Sequence, residues 1–285
     1  MKNTSNTLSQ IPLLIMAMMT ASTIQAQTTG AGQYANINGI KMYYEIHGTG
    51  KPLVLLHGGG STIKTTFGKI MPILAKTHQV IAVELQAHGH TGDRDAPETF
   101  AQDASDVAEL LKQLNIPKAD IFGFSNGGQT AMQLALDHPG RVNKLIIASA
   151  FYKRDAAPEA FWEGFKNPQF SSMPQVYKDE FAKINSDPAA LMNMFNKDAH
   201  RMLLFKGWSD EELKSIQAPA LVVIGDRDLA SPEHAAQMAR LFPHGRLAIL
   251  PGGHGEYFGE IYYPDKGSKI PELFAAMLDE FLAGS

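Results

Sequence analysis

Ser125 carries the hydroxyl most suited to nucleophilic chemistry, because it stands among three glycines in the stretch Gly123-Phe124-Ser125-Asn126-Gly127-Gly128. A strand that turns sharply into a helix strains the residue at its tip and needs very small residues on either side, so that strand and helix can approach. In such an elbow the Ser125 hydroxyl projects above the sheet, and the backbone N–H of Asn126 points toward whatever Ser125 attacks. A serine hydroxyl is a poor nucleophile until a base takes its proton, and that base needs a carboxylate to hold its tautomer. Candidates for both lie downstream. GDRDLASP (Gly225 to Pro232) offers Asp226 and Asp228, and PGGHGEYFG (Pro251 to Gly259) offers His254 in a glycine-rich loop. The chain order serine, aspartate, histidine is that of the strand-to-helix elbow class.

Other polar clusters are read more plainly. His88 and His90 stand two apart beside Asp93, a spacing that can converge on a metal, but no third or fourth ligand lies nearby, so no metal site is expected. His57 is expected to order its own loop by hydrogen bonding. His200 and Arg201 are read as a solvated or capping pair, with contact to a polar substrate group as the alternative. Glu256 is read as structural.

The elements that must position Ser125, the aspartates and His254 are short apolar runs alternating with helical patterns. Met42 to Ile46, Pro52 to Leu56, Gln79 to Glu84, Ala119 to Phe124, Val142 to Ala148, Ala220 to Gly225 and Arg246 to Leu250 read as strands buried on both faces of a sheet. Phe100 to Leu114, Gly127 to Leu136, Pro232 to Leu241 and Pro271 to Leu282 read as helices, the second closed by Asp137-His138-Pro139-Gly140. This alternation predicts an α/β chain with a mostly parallel central sheet covered by helices on both sides, and ligands beyond the carboxyl ends of its strands. From about residue 151 to 215 the pattern turns helical and aromatic, which predicts an inserted cap. Each of its large side chains, taken singly, is expected to pack the insertion onto the body. Its apolar content as a whole suits the roof of a substrate pocket.

The chain has 285 residues, 44% of them hydrophobic and 19% charged, enough to bury a large core. A formal charge of -4 provides no broad basic field for nucleic acid. A small, roughly neutral molecule fits better as partner. Lys2, the apolar run Ile11 to Met19 and the small residue Ala26 before Gln27 read as a secretory signal peptide spanning residues 1–26, which predicts a periplasmic or secreted protein with no stable membrane anchor after cleavage. The apolar run is too short to span a bilayer, which takes ~20 residues. There is no cysteine, so neither a disulfide nor a cysteine-linked lipid is possible.

Taken together, LLHGGG (Leu55 to Gly60), GFSNGG, GDRDLASP and PGGHGEYFG make the chain resemble the α/β-hydrolase superfamily from about Tyr34 to Leu282. AVELQAHGHT, KLIIASAFYKR and FKGWSDEEL further resemble its serine esterase and lactonase-like branch, which carries a helical cap after the sixth strand. The resemblance implies Ser125 as nucleophile, His254 as base and Asp228, rather than Asp226, as the acid. It also implies the backbone N–H groups of Gly59 and Asn126 as the oxyanion hole. Family elbows often place methionine or another bulky residue where this chain has Asn126. The implied activity is cleavage of a small carboxylic ester or lactone through an acyl-enzyme, without a cofactor. The same machinery also serves thioesterases, C–C hydrolases and aminopeptidases, the last needing an acidic anchor such as Asp155, Glu159 or Glu163, and a non-catalytic binding protein on this scaffold is the remaining alternative.

Overall fold

A computed structural model describes Met1 and residues 32–284. The expected signal peptide falls almost wholly on residues 2–31, outside the described residues. Eight strands form one sheet: β1 (Gln33–Ile37), β2 (Ile40–His47), β3 (Lys51–Leu56), β4 (His78–Val83), β5 (Ala119–Phe124), β6 (Val142–Ala148), β7 (Ala220–Gly225) and β8 (Gly245–Leu250). Their spatial order is β1-β2-β4-β3-β5-β6-β7-β8. From β4 across to β8 every pairing is parallel, whereas β1 and β2 form an antiparallel margin beside β4.

Successive side chains of a strand face opposite sides of the sheet, and the core divides accordingly. Ile121, Leu145, Ile147 and Val222 face α3 (Phe100–Gln113), α4 (Asn126–Asp137) and α9 (Pro232–Leu241). Phe122, Ile146, Leu221 and Val223 face α1 (Ile63–Phe67), α2 (Met71–Leu74) and α10 (Ile270–Ala283). The helices start where capping residues stand: Thr99 caps α3 by accepting from Gln102 N, and Ser231 caps α9 ahead of Pro232.

Two strand expectations need correction. β1 was missed because QYANI mixes polar and apolar residues, as a half-exposed edge strand does, and only Ile37 in it is fully buried. β8 is not buried on both faces: as the opposite edge strand it leaves Leu247 38% and Ile249 46% exposed. The apolar run alone does not distinguish an edge strand from a central one.

Between β6 and β7 the chain forms α5 (Glu159–Glu163), α6 (Gln175–Ile184), α7 (Pro188–Leu204) and α8 (Asp210–Ser215). Pro188 at the first turn and the Asp187 side chain, accepting from Ala189 N, set the start of α7. The large side chains of this insertion divide into two uses. Trp162, Phe205 and Trp208 join the main core, and Phe181 and Met194 form a small core within the cap. Phe161, Phe165, Met173, Tyr177, Phe195 and Met202, within or at the margins of these cores, also line a cavity between cap and sheet.

Candidate active site

Ser125 follows β5 directly and precedes α4, with φ 52° and ψ -123°. Such a conformation costs a non-glycine residue about 1–3 kcal/mol and persists only where its surroundings impose it. Here Ser125 N donates to Ala148 O at 2.9 Å, while Gly128 N donates to Ser125 O at 2.8 Å. A Cβ on Gly123 would run into Gly127 O, and one on Gly127 into Leu56 O. These are the close approaches that explain the glycines around the serine.

His254 lies in the loop after β8. Its ring packs against Phe124, with centroids 4.8 Å apart, and its backbone N–H donates to Tyr263 Oη at 2.9 Å. Its Nδ1 is 2.7 Å from Asp228 Oδ1. Asp228, in the loop after β7, is almost wholly buried. Burial works to raise its pKa. The bonds from His254, Ser149 Oγ (2.5 Å) and Leu229 N (2.7 Å), with the charge of His254, outweigh burial and hold the carboxyl below its ordinary value. Asp226 is turned away from His254, accepting from Gly252 N at 2.8 Å and so tying its own loop to the next. Glu256 also serves its loop, accepting from Gly253 N at 2.9 Å.

Ser125, His254, Gly59 and Asn126 open together into the cap cavity, whose volume is about 470 Å³. No hydrogen bond closes Ser125 Oγ onto His254 among the described residues; nucleophile–base bonds are often loose in unliganded enzymes. The N–H groups of Gly59 and Asn126 donate to no other protein group among the described residues. Both are therefore free for an incoming oxyanion. The loop carrying Gly59 is stiffened by His57, which is fully buried: Leu85 N donates to its Nε2 at 3.0 Å, which leaves Nδ1–H to donate to Gly58 O at 2.7 Å. Burial first, then the neighbouring His88, pushes the His57 pKa down to about 3, so the ring stays neutral.

His88 and His90 diverge rather than converge. His90 bonds Glu84 at 2.9 Å, whereas His88 Nε2 meets Asp198 Oδ2 at 3.0 Å. Among the described residues no group of three or more His, Cys, Asp or Glu side chains is placed to hold a metal. Arg201 is not a solvated residue: it is 3% exposed, its guanidinium 2.7 Å from Asp103 Oδ2 and in a short contact with Asp198. His200 beside it is exposed. A helix places consecutive residues about 100° apart, which is why one neighbour is core and the other surface.

Sequence reasoning missed four residues around the site. Ser149 and Tyr257 support Asp228, with Ser149 Oγ 2.9 Å from Tyr257 Oη. Tyr177 of α6 lines the cavity and donates to buried Glu260 at 2.9 Å. Asp198 of α7 reaches the Gly59-Gly60 loop. Ser149 left a trace in the small residues ASA at the exit of β6, and Tyr257 stands within PGGHGEYFG. Tyr177 and Asp198 are brought in from the cap by tertiary packing.

The model of the α/β hydrolase fold family matches residues 51–192. A dihydrolipoyllysine-residue acetyltransferase component of an acetoin cleaving system from Cupriavidus necator is 34% identical over 146 residues, which cover 51% of this chain. They cover 39% of that protein, so the match spans less than half of its length. Serine hydrolase BPHL of Homo sapiens is 29% identical over 250 residues, covering 84% of each chain. The solved structure of Est816, described as an N-acyl homoserine lactone degrading enzyme, is 26% identical with a TM-score of 0.69, covering 87% of this chain and all of that one. With its serine elbow, its mostly parallel sheet and the helical insertion after β6, the chain belongs to the α/β-hydrolase superfamily.

Proposed function

We propose that this hydrolase cleaves a small carboxylic ester or lactone through a Ser125–His254–Asp228 triad and an acyl-enzyme. The observation that carries the reading is the joint opening of Ser125, His254, Gly59 and Asn126 into one cavity, with Asp228 2.7 Å behind the imidazole. His254 takes the Ser125 proton as Oγ attacks the carbonyl carbon. Charge develops on the carbonyl oxygen, which the unengaged N–H groups of Gly59 and Asn126 would receive; one such donor contributes roughly 3 kcal/mol. Asp228 fixes the His254 tautomer with Nδ1–H donating to it, and stabilises the imidazolium that forms. His254 then passes its proton to the leaving alcohol, and next activates a water that attacks the acyl carbonyl and frees Ser125. No step calls for a cofactor.

The cavity walls bear on the substrate. Phe151, Phe161, Phe165, Met173, Phe195 and Met202 are apolar, and no lysine or arginine lines the space. A neutral, apolar acyl group suits these walls. An amine-bearing substrate has no free acidic anchor, since Asp155, Glu159 and Glu163 are exposed and outside the cavity lining. The aminopeptidase reading therefore lacks support. From its leader-like start we propose that the protein works in the periplasm or outside the cell.

Hydrolysis of a panel of p-nitrophenyl esters and lactones tests the reading. Wild type is expected to turn over apolar acyl esters, and Ser125→Ala to lose on the order of 10⁶-fold in kcat. Equal, negligible rates in both proteins, with tight ester binding, would instead mark a binding protein on this scaffold.

A further inference from the structure

Asp198 is a buried carboxylate on a cap helix, yet it touches both segments assigned above to the oxyanion. Gly60 N donates to its Oδ2 at 2.5 Å, and Asn126 Nδ2 lies 3.4 Å from its Oδ1. A Cβ on Gly59 would stand 2.5 Å from Asn126 Nδ2 and 3.3 Å from each Asp198 oxygen, so a side chain there would have to displace the Asn126 amide. The remaining acceptor positions of Asp198 are taken by His88 Nε2 and Arg201. With all four contacts made, the carboxylate has no place for a substrate ammonium.

The surroundings are arranged to keep that carboxylate from repelling a developing oxyanion. His88 Nδ1 faces Gln86 O at 2.8 Å while Nε2 faces Asp198, so both ring nitrogens meet acceptors and the ring is held doubly protonated. Burial alone would lower the His88 pKa, but the charge and hydrogen bond of Asp198, with Glu98 behind, raise it to about 9. Burial pushes the Glu98 carboxyl up, favouring its neutral form. Asp198 and Asp103 are thereby set against His88 and Arg201, and the cluster carries no net negative charge. Ala87, at φ 63°, holds the His88 loop in a strained turn, as is common where a loop is shaped for a task.

We propose that Asp198 is a positioning residue that couples the seating of the cap to the oxyanion hole. When α7 is docked, its carboxylate fixes Gly60 N–H and the Asn126 side chain, and so aims the N–H groups of Gly59 and Asn126 at the reacting carbonyl. This inference rests on the acyl-transfer reading given above, and its test separates the two.

The experiment compares wild type, Asp198→Asn and Lys197→Met. Lys197 also ties α7 to the body, through Asp93 Oδ1 at 2.6 Å and the carbonyls of Arg94 and Ala96, but touches neither oxyanion segment. Turnover is counted per active site titrated with a fluorophosphonate. Amide hydrogen exchange of the peptide spanning Leu56 to Thr62 is read alongside. Asp198→Asn is expected to lose about 10–100-fold in kcat per titrated site, with KM changed less than about threefold. Its Gly60 amide should exchange about tenfold faster or more, because a hydrogen-bonded amide exchanges only when its bond opens. Lys197→Met should keep both values near wild type. Unchanged kcat per site in Asp198→Asn, equal losses in both variants, or an unprotected Gly60 amide in wild type would each overturn the coupling. Failure of the wild type to react with the probe or any ester would overturn the acyl-transfer reading. The exchange measurement would still decide whether Asp198 holds the loop.

Discussion

Asp226 and Asp228 are two residues apart in one loop, and their surroundings give them different work. Asp228 is buried against Ser149 and directed at His254, whereas Asp226 holds Gly252 N–H. Asp228→Asn should therefore lower kcat by about 10⁴-fold, since an amide stabilises neither the tautomer nor the charge of the imidazole. Asp226→Asn keeps an oxygen for Gly252 and should stay within about threefold of wild type, losing at most a modest share of a net hydrogen bond. Steady-state rates on one ester check both. Similar losses in the two variants would mean that the loop as a whole, rather than the Asp228 carboxylate, sets His254. The types and chain order of Ser125, Asp228 and His254 were legible in the sequence, because each stands beside glycines or a turn at a strand end. Asp198 was not legible: 72 residues separate it from Asn126, and no local pattern marks a helical aspartate that turns inward.

At the scale of elements, central strands and long helices were the legible part. Ala119–Phe124 and Ala220–Gly225 are buried along their whole length, and Val142–Ala148 at every residue but Asn143, so apolar runs and strands coincide to the residue. Edges were harder, because an edge strand has one wet face, and its composition then depends on what covers the other. β1 mixes polar residues into its run, and β8 keeps an apolar run with two exposed side chains. α1 and α2, of five and four residues, are too short for a helical period to show. The insertion was legible as helical and aromatic, but its side chains split between core and cavity according to how α5, α6 and α7 cross. That crossing is a tertiary property, and single-residue reasoning assigned Arg201 to the surface where it is buried against α3.

Across the whole molecule the cap is held at separate points around the cavity, by Asp198 on the Gly60 loop and by Tyr177 on Glu260 in the segment after His254. Burial, partly offset by bonds from Tyr262 N and Tyr177 Oη, raises the Glu260 pKa from 4.5 to about 7. The folded state therefore binds a proton that the unfolded chain releases near pH 4.5. This stabilisation is complete below the unfolded value, falls as pH rises, and is gone above about pH 7, a change of about 3 kcal/mol. Glu260→Gln removes this titration, so its Tm relative to wild type should climb between pH 5 and pH 8. A difference in Tm that stays constant over that range would show that Glu260 does not titrate there.

The most direct measurement of the central claim is covalent capture of the nucleophile. Mature protein treated with a fluorophosphonate ester should gain the mass of one adduct, mapped by peptide mass spectrometry to Ser125, and lose ester hydrolysis in proportion. Ser125→Ala should take up none. An adduct on another residue, or full hydrolysis with Ser125 modified, would contradict the account.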